Sequence, residues 1–219
     1  VTGSQDTQLT WMDACAYGHP VTPRAGCPVE INALWIRALV LYARWAERLQ
    51  ARNGHFKNVS TGVTSSLPEI RPNQLIAASI KELRLPRHVL TQIWTTAFEK
   101  LVSPGGIRTL APFSQNYRGK YGGPPQERDS AYHQGTAWPW LYGPFFDLAG
   151  RLDLNSISNL LISRLLDLES NPCVGTVYEV ASGDLPYEPD GSVAQAWSVS
   201  ELIRVVSHQK TVHAGPKQT

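Results

Sequence analysis

The feature that most constrains the fold is a long run of apolar residues at helical spacing in the first quarter of the chain. Pro28 suits the first position of a helix, and Asn53-Gly54 suits a helix C-terminus. Charged residues occupy the opposite side of the run, so the pattern predicts one amphipathic helix over residues 28–53. The apolar positions are Ile31, Leu34, Trp35, Ala38, Leu39, Tyr42, Trp45 and Leu49.

The rest of the chain alternates between helical patterns and long loops. The loop over 107–134 is rich in Gly, Pro and Tyr, and a second such loop covers 171–191. No segment shows the strict alternation of a strand, and no short internal repeat is visible, so we expect an all-α fold. Further helices are predicted over residues 73–83, 86–102, 138–149 with a kink at Pro144, 155–169, and after Ser192 as N-cap.

Composition excludes several classes of function. The 219 residues include 42% apolar and 17% charged residues, so the chain can build a core. A net charge of +2 provides no basic surface for nucleic acid. The longest apolar stretch covers 38–43, whereas a membrane span needs about 20 residues. We therefore expect neither a nucleic-acid partner nor a membrane partner.

Familiar cofactor and metal motifs are absent from the sequence. There is no Gly-rich phosphate loop, no His-Glu-x-x-His and no Cys-x-x-Cys, so we expect no cofactor and no metal. The three cysteines are an odd number without metal-ligand pairing, which favours a reducing compartment. No signal peptide is visible, and we expect a cytoplasmic protein.

Two acids in loops are the strongest candidates for chemistry. Asp13 follows Trp11-Met12, and Glu179 lies between Tyr178 and Val180. Burial among such apolar neighbours would raise the pKa of a carboxyl group toward neutrality, as a general acid requires. The alternative for each is an ordinary cap or turn residue. Trp and Tyr, 7 and 8 residues, both outnumber the 5 Phe, which suits a pocket for sugars because their rings combine apolar faces with polar tips.

A series of motifs in chain order resembles the amylo-α-1,6-glucosidase domain of glycogen debranching enzymes. The series covers most of the chain. Its members are Thr10-Trp11-Met12-Asp13-Ala14, residues 20–24 (Pro-Val-Thr-Pro-Arg), 28–35 (Pro-Val-Glu-Ile-Asn-Ala-Leu-Trp), 71–74 (Arg-Pro-Asn-Gln), 106–110 (Gly-Ile-Arg-Thr-Leu), 117–122 (Tyr-Arg-Gly-Lys-Tyr-Gly), 131–136 (Ala-Tyr-His-Gln-Gly-Thr) with 138–140 (Trp-Pro-Trp), and 194–199 (Ala-Gln-Ala-Trp-Ser-Val).

The resemblance implies a fold, a substrate and a mechanism. The fold is an (α/α)6 barrel of helical hairpins, and the partner is glycogen or another branched α-glucan. The activity is release of the single glucose at an α-1,6 branch point with inversion. The resemblance assigns Asp13 as general acid and Glu179 as general base. Room for the attacking water then requires carboxyl groups about 6.5–9.5 Å apart.

The remaining motif residues suit a glucose-binding pocket, with a structural alternative for several. Trp35 and Trp197 lie on helical stripes, where core packing is the better interpretation. Arg24 could pair with an acid, and His133 could contact a ligand or fix its loop by a hydrogen bond. The candidate substrate-binding residues are Trp11, Arg24, Glu30, Asn32, Asn73, Gln74, Arg108, Tyr121, His133, Gln134, Trp138, Trp140 and Gln195.

The number of helices suggests an incomplete barrel. We expect residues 1–219 to form one glucosidase barrel domain that lacks N-terminal helices and holds the C-terminal half to two-thirds of the barrel. The rest would come from the same or another chain, and this chain alone would hydrolyse poorly. Two alternatives stay open: a related inverting α-glucosidase for another linkage, and a non-catalytic carbohydrate-binding helical module. A helical-repeat scaffold predicts repeats that the sequence lacks.

Overall fold

A computed structural model of the chain describes residues 1–48, 69–154 and 175–213. The predicted helix over 155–169 therefore lies outside the described residues, as does the end of the first helix at Asn53-Gly54. The helices are α1 (Val29–Arg48), α2 (Asn73–Ser79), α3 (Arg87–Lys100), α4 (Pro125–Ala131), a 3-10 turn (Pro139–Leu141), α5 (Tyr142–Arg151) and α6 (Ala196–His213). The strands are β1 (Cys15–Ala16), β2 (His19–Pro20), β3 (Val102–Ser103), β4 (Gly106–Arg108), β5 (Ala137–Trp138), β6 (Val180–Ala181) and β7 (Pro189–Asp190).

Helix α1 begins directly after Pro28, as predicted, but it does not bury the predicted stripe. It packs on α2 through Ala33, which contacts Ala77 and Ile80. Leu34, Trp35 and Tyr42 are 47%, 50% and 60% exposed. The prediction of core packing for Trp35 is wrong, because periodicity defines an apolar face but not which neighbour covers it.

The main core lies between α2, α3 and α5, with α6 packed on α5. Its largest fully buried side chains include Leu75 of α2 and Phe145 of α5, and Trp94 of α3 stacks on Phe145 at 5.2 Å between ring centroids. The apolar spacing that predicts α3 therefore corresponds to real burial. These three helices form the platform from which the loops of the candidate site extend.

Helix α2 ends four residues earlier than predicted. Ile80 adopts an extended conformation, and the Arg151 guanidinium donates to the carbonyl oxygens of Ala78, Ile80 and Leu83. A side chain from α5 thus satisfies carbonyls that continued helix would otherwise use. The end of α2 depends on a residue remote in sequence, so local pattern could not predict it.

The prediction of an all-α barrel of helical hairpins is wrong. Strands β3-β4-β5-β6-β7 form a five-stranded antiparallel sheet in that order, and β1 pairs with β2 in a separate antiparallel hairpin. Each strand has only two or three residues, too few for the alternation that reveals a strand in sequence. Strands β6 and β7 lie within the predicted loop over 171–191, β5 overlaps the start of the predicted helix over 138–149, and α4 lies within the predicted loop over 107–134.

Two further helix boundaries differ from prediction. The pattern over 138–149 begins with β5 and a 3-10 turn, and α5 starts only at Tyr142. The last helix begins at Ala196, and Ser192 donates its hydroxyl to the Ala194 carbonyl at 3.1 Å instead of capping the helix. Within the described ranges, no helix combines the length and apolar character that crossing a membrane requires.

Candidate active site

Asp13 is presented by a segment anchored on the first residue of α2. Trp11 donates its indole N–H to Asn73 Oδ1 at 3.1 Å, and Asn73 Nδ2 contacts the sulfur of the fully buried Met12 at 3.7 Å. With both preceding side chains turned inward, Asp13 is exposed. The burial expected from its apolar neighbours is therefore wrong, because those neighbours face the core while the carboxyl faces out.

Glu179 is held just before β6 by two hydrogen bonds to its carboxylate. The Tyr132 hydroxyl donates to Oε1, and the Ser192 backbone N–H donates to Oε2 at 2.9 Å. The Glu179 N–H in turn donates to the Ser192 carbonyl at 2.9 Å. Gly191 has φ +72°, and a Cβ there would come within 2.7 Å of Glu179 Oε2. Glycine is required at that turn both by its backbone conformation and by the carboxylate.

Tyr132 links Glu179 to the segment that carries Asp13. Its hydroxyl donates to Glu179, and its ring contacts Trp138, which also contacts Trp11, two residues before Asp13. Burial and the hydrogen bond to Glu179 raise the pKa of Tyr132, and the charges of Glu179 and Asp13 also raise it. Neither acid takes part in an ion pair among the described residues. A half-buried and an exposed carboxyl group on segments joined by one aromatic cluster are suited to acid and base catalysis on one bound group.

An aromatic cluster lies beside these acids. Trp138 is nearly fully buried and contacts Tyr132 edge-on at 4.8 Å, while Trp11 contacts Trp140 edge-on at 5.1 Å. Trp140 stacks on Trp197 at 4.9 Å, in line with the core packing predicted for Trp197. The cluster can supply flat apolar faces to a sugar ring. Its members are Trp11, Tyr121, Tyr132, His133, Trp138, Trp140 and Trp197.

His133 lies inside this cluster and is 1% exposed. Its ring stacks on Trp138 at 5.2 Å, and neither ring nitrogen has a hydrogen-bond partner in the part of the chain described here. Burial, together with a smaller effect of the nearby charge of Arg71, lowers the pKa of His133 to about 3. The loop is fixed instead through the His133 carbonyl, which accepts from Arg71 at 2.9 Å. The ring acts as a neutral aromatic spacer.

The buried His133 predicts a pH dependence of stability. Its pKa is lowered below the ordinary 6.5, so the unfolded chain binds the proton first, and stability is lost as pH falls below 6.5. We expect the free energy of unfolding to fall by up to about 1.4 kcal/mol per pH unit from this residue. Urea unfolding at pH 7 and pH 5 measures this change in the free energy of unfolding.

Two matched variants distinguish the effect of His133 on stability from the effects of other titrating groups. His133→Phe keeps an aromatic ring and should flatten the pH dependence, whereas His88→Phe, at an exposed position on α3, should keep the wild-type slope. An unchanged slope in His133→Phe would contradict the assignment.

Several predicted binding residues make structural contacts instead. Arg24 donates to both oxygens of Glu30 at 2.7 and 2.6 Å, and Glu30 is 1% exposed, so the alternative of an ion pair is the one found. Asn32 Nδ2 donates to the carbonyl oxygens of Val1 and Pro28. These groups fix the N-terminal segment on α1.

Two other predicted residues, Arg108 and Gln195, brace the loop that carries Glu179. Arg108 donates to the carbonyls of Gly183 at 2.8 Å and Val102 at 2.9 Å. The Gln195 backbone N–H donates to the Val177 carbonyl at 2.8 Å. Arg108 supports the loop through its side chain and Gln195 through its backbone.

Arg71 is a central residue that the list of candidates missed. Its guanidinium donates to Gln134 Oε1 at 2.8 Å, to the His133 and Thr109 carbonyls, and to Glu69. Gln134 continues this network by donating to the Val21 carbonyl at 2.7 Å. The sequence offers one signal that could have identified Arg71, which is the first residue of the Arg71-Pro-Asn-Gln motif.

A wide cleft on this protein does not contain the acids. It has a volume of about 1150 Å³ and lies beside the N-terminal hairpin, α2 and α3. Neither Asp13 nor Glu179 lines it. The predicted substrate-binding residues therefore form two groups. The aromatic residues, including Tyr121, lie near the acids, whereas other candidates line this cleft. The latter are Arg24, Asn73, Gln74 and Gln134.

Two comparisons with known proteins identify relatives of this chain. A sequence model of a family described as amylo-alpha-1,6-glucosidase matches residues 1–69 and 65–204. The glycogen debranching enzyme of Saccharomyces cerevisiae is 30% identical, over 65% of this chain and 14% of that enzyme. The chain therefore corresponds to a small part of the length of this relative. The resemblance predicted from the motifs is confirmed.

Proposed function

Because this chain belongs to the amylo-alpha-1,6-glucosidase family, we propose that it is a glycoside hydrolase unit that releases glucose from α-1,6 branch points of glycogen or limit dextrin. The proposal takes the chain as part of one glucosidase domain. We place it in the cytoplasm, since Cys15 and Cys27 are free and exposed thiols, as a reducing compartment maintains.

The proposed mechanism is inverting. Asp13, protonated, gives its proton to the departing glycosidic oxygen, while Glu179, ionised, takes a proton from the water that attacks the anomeric carbon. Bond cleavage and water addition then balance, and the product is β-glucose. The observation that carries the proposal is that Tyr132, which donates to Glu179, packs on Trp138, and Trp138 also contacts Trp11, two residues before Asp13.

The surrounding residues support a sugar as the bound group. Trp11 and Trp140 are half-buried members of the aromatic cluster, and Tyr121 lies 5.5 Å from Tyr132 between ring centroids. Such rings stack on the apolar faces of a pyranose, while phenol and indole groups reach its hydroxyls. The bound glucan would then displace water from the exposed Asp13.

The test is product analysis with the purified protein. We expect glucose release from an α-1,6-branched limit dextrin, slow for this chain alone, with β-glucose as the first anomer seen by proton NMR before mutarotation. Linear α-1,4 oligosaccharides are the control for linkage. Initial α-glucose would contradict inversion, and absence of any glucose release would contradict the hydrolase proposal.

A second candidate function is non-catalytic carbohydrate binding. It is favoured by the position of the cleft of about 1150 Å³, which Gln74 and Gln134 line and the two acids do not. This function predicts glucan binding by calorimetry without turnover. Glucose release that depends on Asp13 and Glu179 would exclude it.

A further inference from the structure

We propose that Tyr132 is a positioning residue for the catalytic base, whose hydroxyl holds the Glu179 carboxylate in the orientation that takes the proton from the attacking water. The inference rests on the proposed function and deepens it. Neither the motif resemblance nor the candidate residues derived from it assign a role to Tyr132.

The first support is the pattern of donors around Glu179. Tyr132 donates its hydroxyl to Oε1, and the Ser192 N–H donates to Oε2 at 2.9 Å. Each carboxylate oxygen can accept more than one hydrogen bond, so both oxygens keep acceptor capacity. One donor on each oxygen fixes the plane of the carboxylate. The remaining lone pairs can then meet a water molecule in one defined direction.

The second support is the restraint on Tyr132 itself. Its ring packs edge-on against Trp138 at 4.8 Å and lies 4.7 Å from the His133 ring. Its carbonyl oxygen accepts the Trp138 indole N–H at 3.1 Å and the Thr136 hydroxyl. The backbone and the ring are therefore both held. A donor that cannot move transmits its position to the carboxylate it binds.

The third support is the state of the hydroxyl. The titratable groups that act on Tyr132 are Glu179, Tyr121 and Asp13, and all three raise its pKa together with burial. Tyr121 also keeps its proton, because burial raises its pKa to about 12. The adjoining His133 ring is neutral, since its pKa is lowered to about 3. Tyr132 therefore remains a hydrogen-bond donor at neutral pH.

Tyr132→Phe tests the inference because it keeps the ring and removes only the donor. We expect kcat to fall about 10- to 100-fold with little change in KM, as for loss of a hydrogen bond to a charged group. The loss should be equal on α-1,6-branched dextrin and on α-glucosyl fluoride, because water attack is required for both. A merely structural residue would not confine the loss to kcat.

Tyr117→Phe is the matched control. Its hydroxyl donates to Asp184 Oδ1 at 2.8 Å, so the variant also breaks a tyrosine–carboxylate hydrogen bond, at another carboxylate. We expect near wild-type kcat and KM. Both variants are assayed below their melting temperatures, so that a loss of stability is not read as a loss of rate.

A measurement independent of turnover completes the test. Carboxyl ¹³C NMR of glutamate-labelled protein at neutral pH, with Glu179→Gln for assignment, should show a changed chemical shift of the Glu179 carboxyl carbon in Tyr132→Phe and not in Tyr117→Phe. An unchanged chemical shift overturns the inference whether or not the protein hydrolyses glucan. If wild type is active and Tyr132→Phe behaves as Tyr117→Phe, the inference alone is wrong. An inactive wild type overturns the proposed function, and the catalytic role of Tyr132 with it.

Discussion

Asp13→Asn is expected to lower kcat on an α-1,6-branched dextrin by about 10²–10⁴-fold, the usual contribution of a positioned proton donor. The amide has nearly the same shape as the carboxyl group but cannot protonate the departing oxygen. Asp13 is exposed, so a glycosidic oxygen can reach it, and its anchors Trp11 and Met12 are unchanged by the substitution. Calorimetry should therefore find glucan binding close to wild type.

A substrate that needs no acid makes this prediction specific. Fluoride departs without protonation, so α-glucosyl fluoride should be hydrolysed by Asp13→Asn far better than dextrin, relative to wild type. Asp6→Asn is the control, since Asp6 is another exposed acid of the same segment. Equal losses on fluoride and dextrin would show that Asp13 does not act as the proton donor.

Glu179→Gln is expected to have an effect of similar size, about 10²–10⁴-fold in kcat, for a different reason. Glutamine cannot accept the proton of the attacking water, whereas its side-chain oxygen can still accept a hydrogen bond from Tyr132 or Ser192. The loss should appear on dextrin and on α-glucosyl fluoride alike, because water attack is required for both. This contrast separates the two acids by role.

Azide identifies the face of attack. In Glu179→Ala, the removed side chain leaves room for a nucleophile that needs no base, and azide should restore turnover as β-glucosyl azide. Glu188→Gln, an exposed residue between β6 and β7, should retain wild-type kcat. Rescue that yields α-glucosyl azide would contradict the assignment of Glu179 as base in an inverting reaction.

The helices were the predictable part of the fold. The apolar spacing over 86–102 corresponds to α3, where Leu90, Trp94 and Ala97 are buried. The same spacing over 28–53 predicts α1 but not its exposed Leu34 and Trp35. A pattern reports that one face is apolar, whereas burial depends on what packs against that face.

The sheet was not predictable in the same way. In the β4–β5 pair, Ile107 lies opposite Trp138, and in the β5–β6 pair Ala137 lies opposite Ala181. These partners are far apart in sequence and belong to strands of two or three residues, which leave no periodic signal. These strands pair only in the tertiary structure, where the core against which the loops pack stabilises the pairing.

For the candidate site, the motifs singled out Asp13 and Glu179 and the aromatic residues around them. The motifs did not distinguish these residues from Arg24, Glu30 and Arg108. The charged groups of those three residues bind other parts of the protein. Polar residue types in a motif are equally suited to a ligand and to a buried network. Only their partners, seen in three dimensions, distinguish the two uses.

The amino-acid sequence alone thus determined the family and the main helices and singled out the two candidate acids, because each leaves a local or ordered signature along the chain. Tertiary structure decided that loops from three regions meet at Tyr132, that His133 is sealed among rings, and that short strands join the loops into a sheet. The physical reason is that hydrogen bonds and burial depend on distance in space, and residues such as Tyr132 and Glu179 become neighbours only after the core has formed.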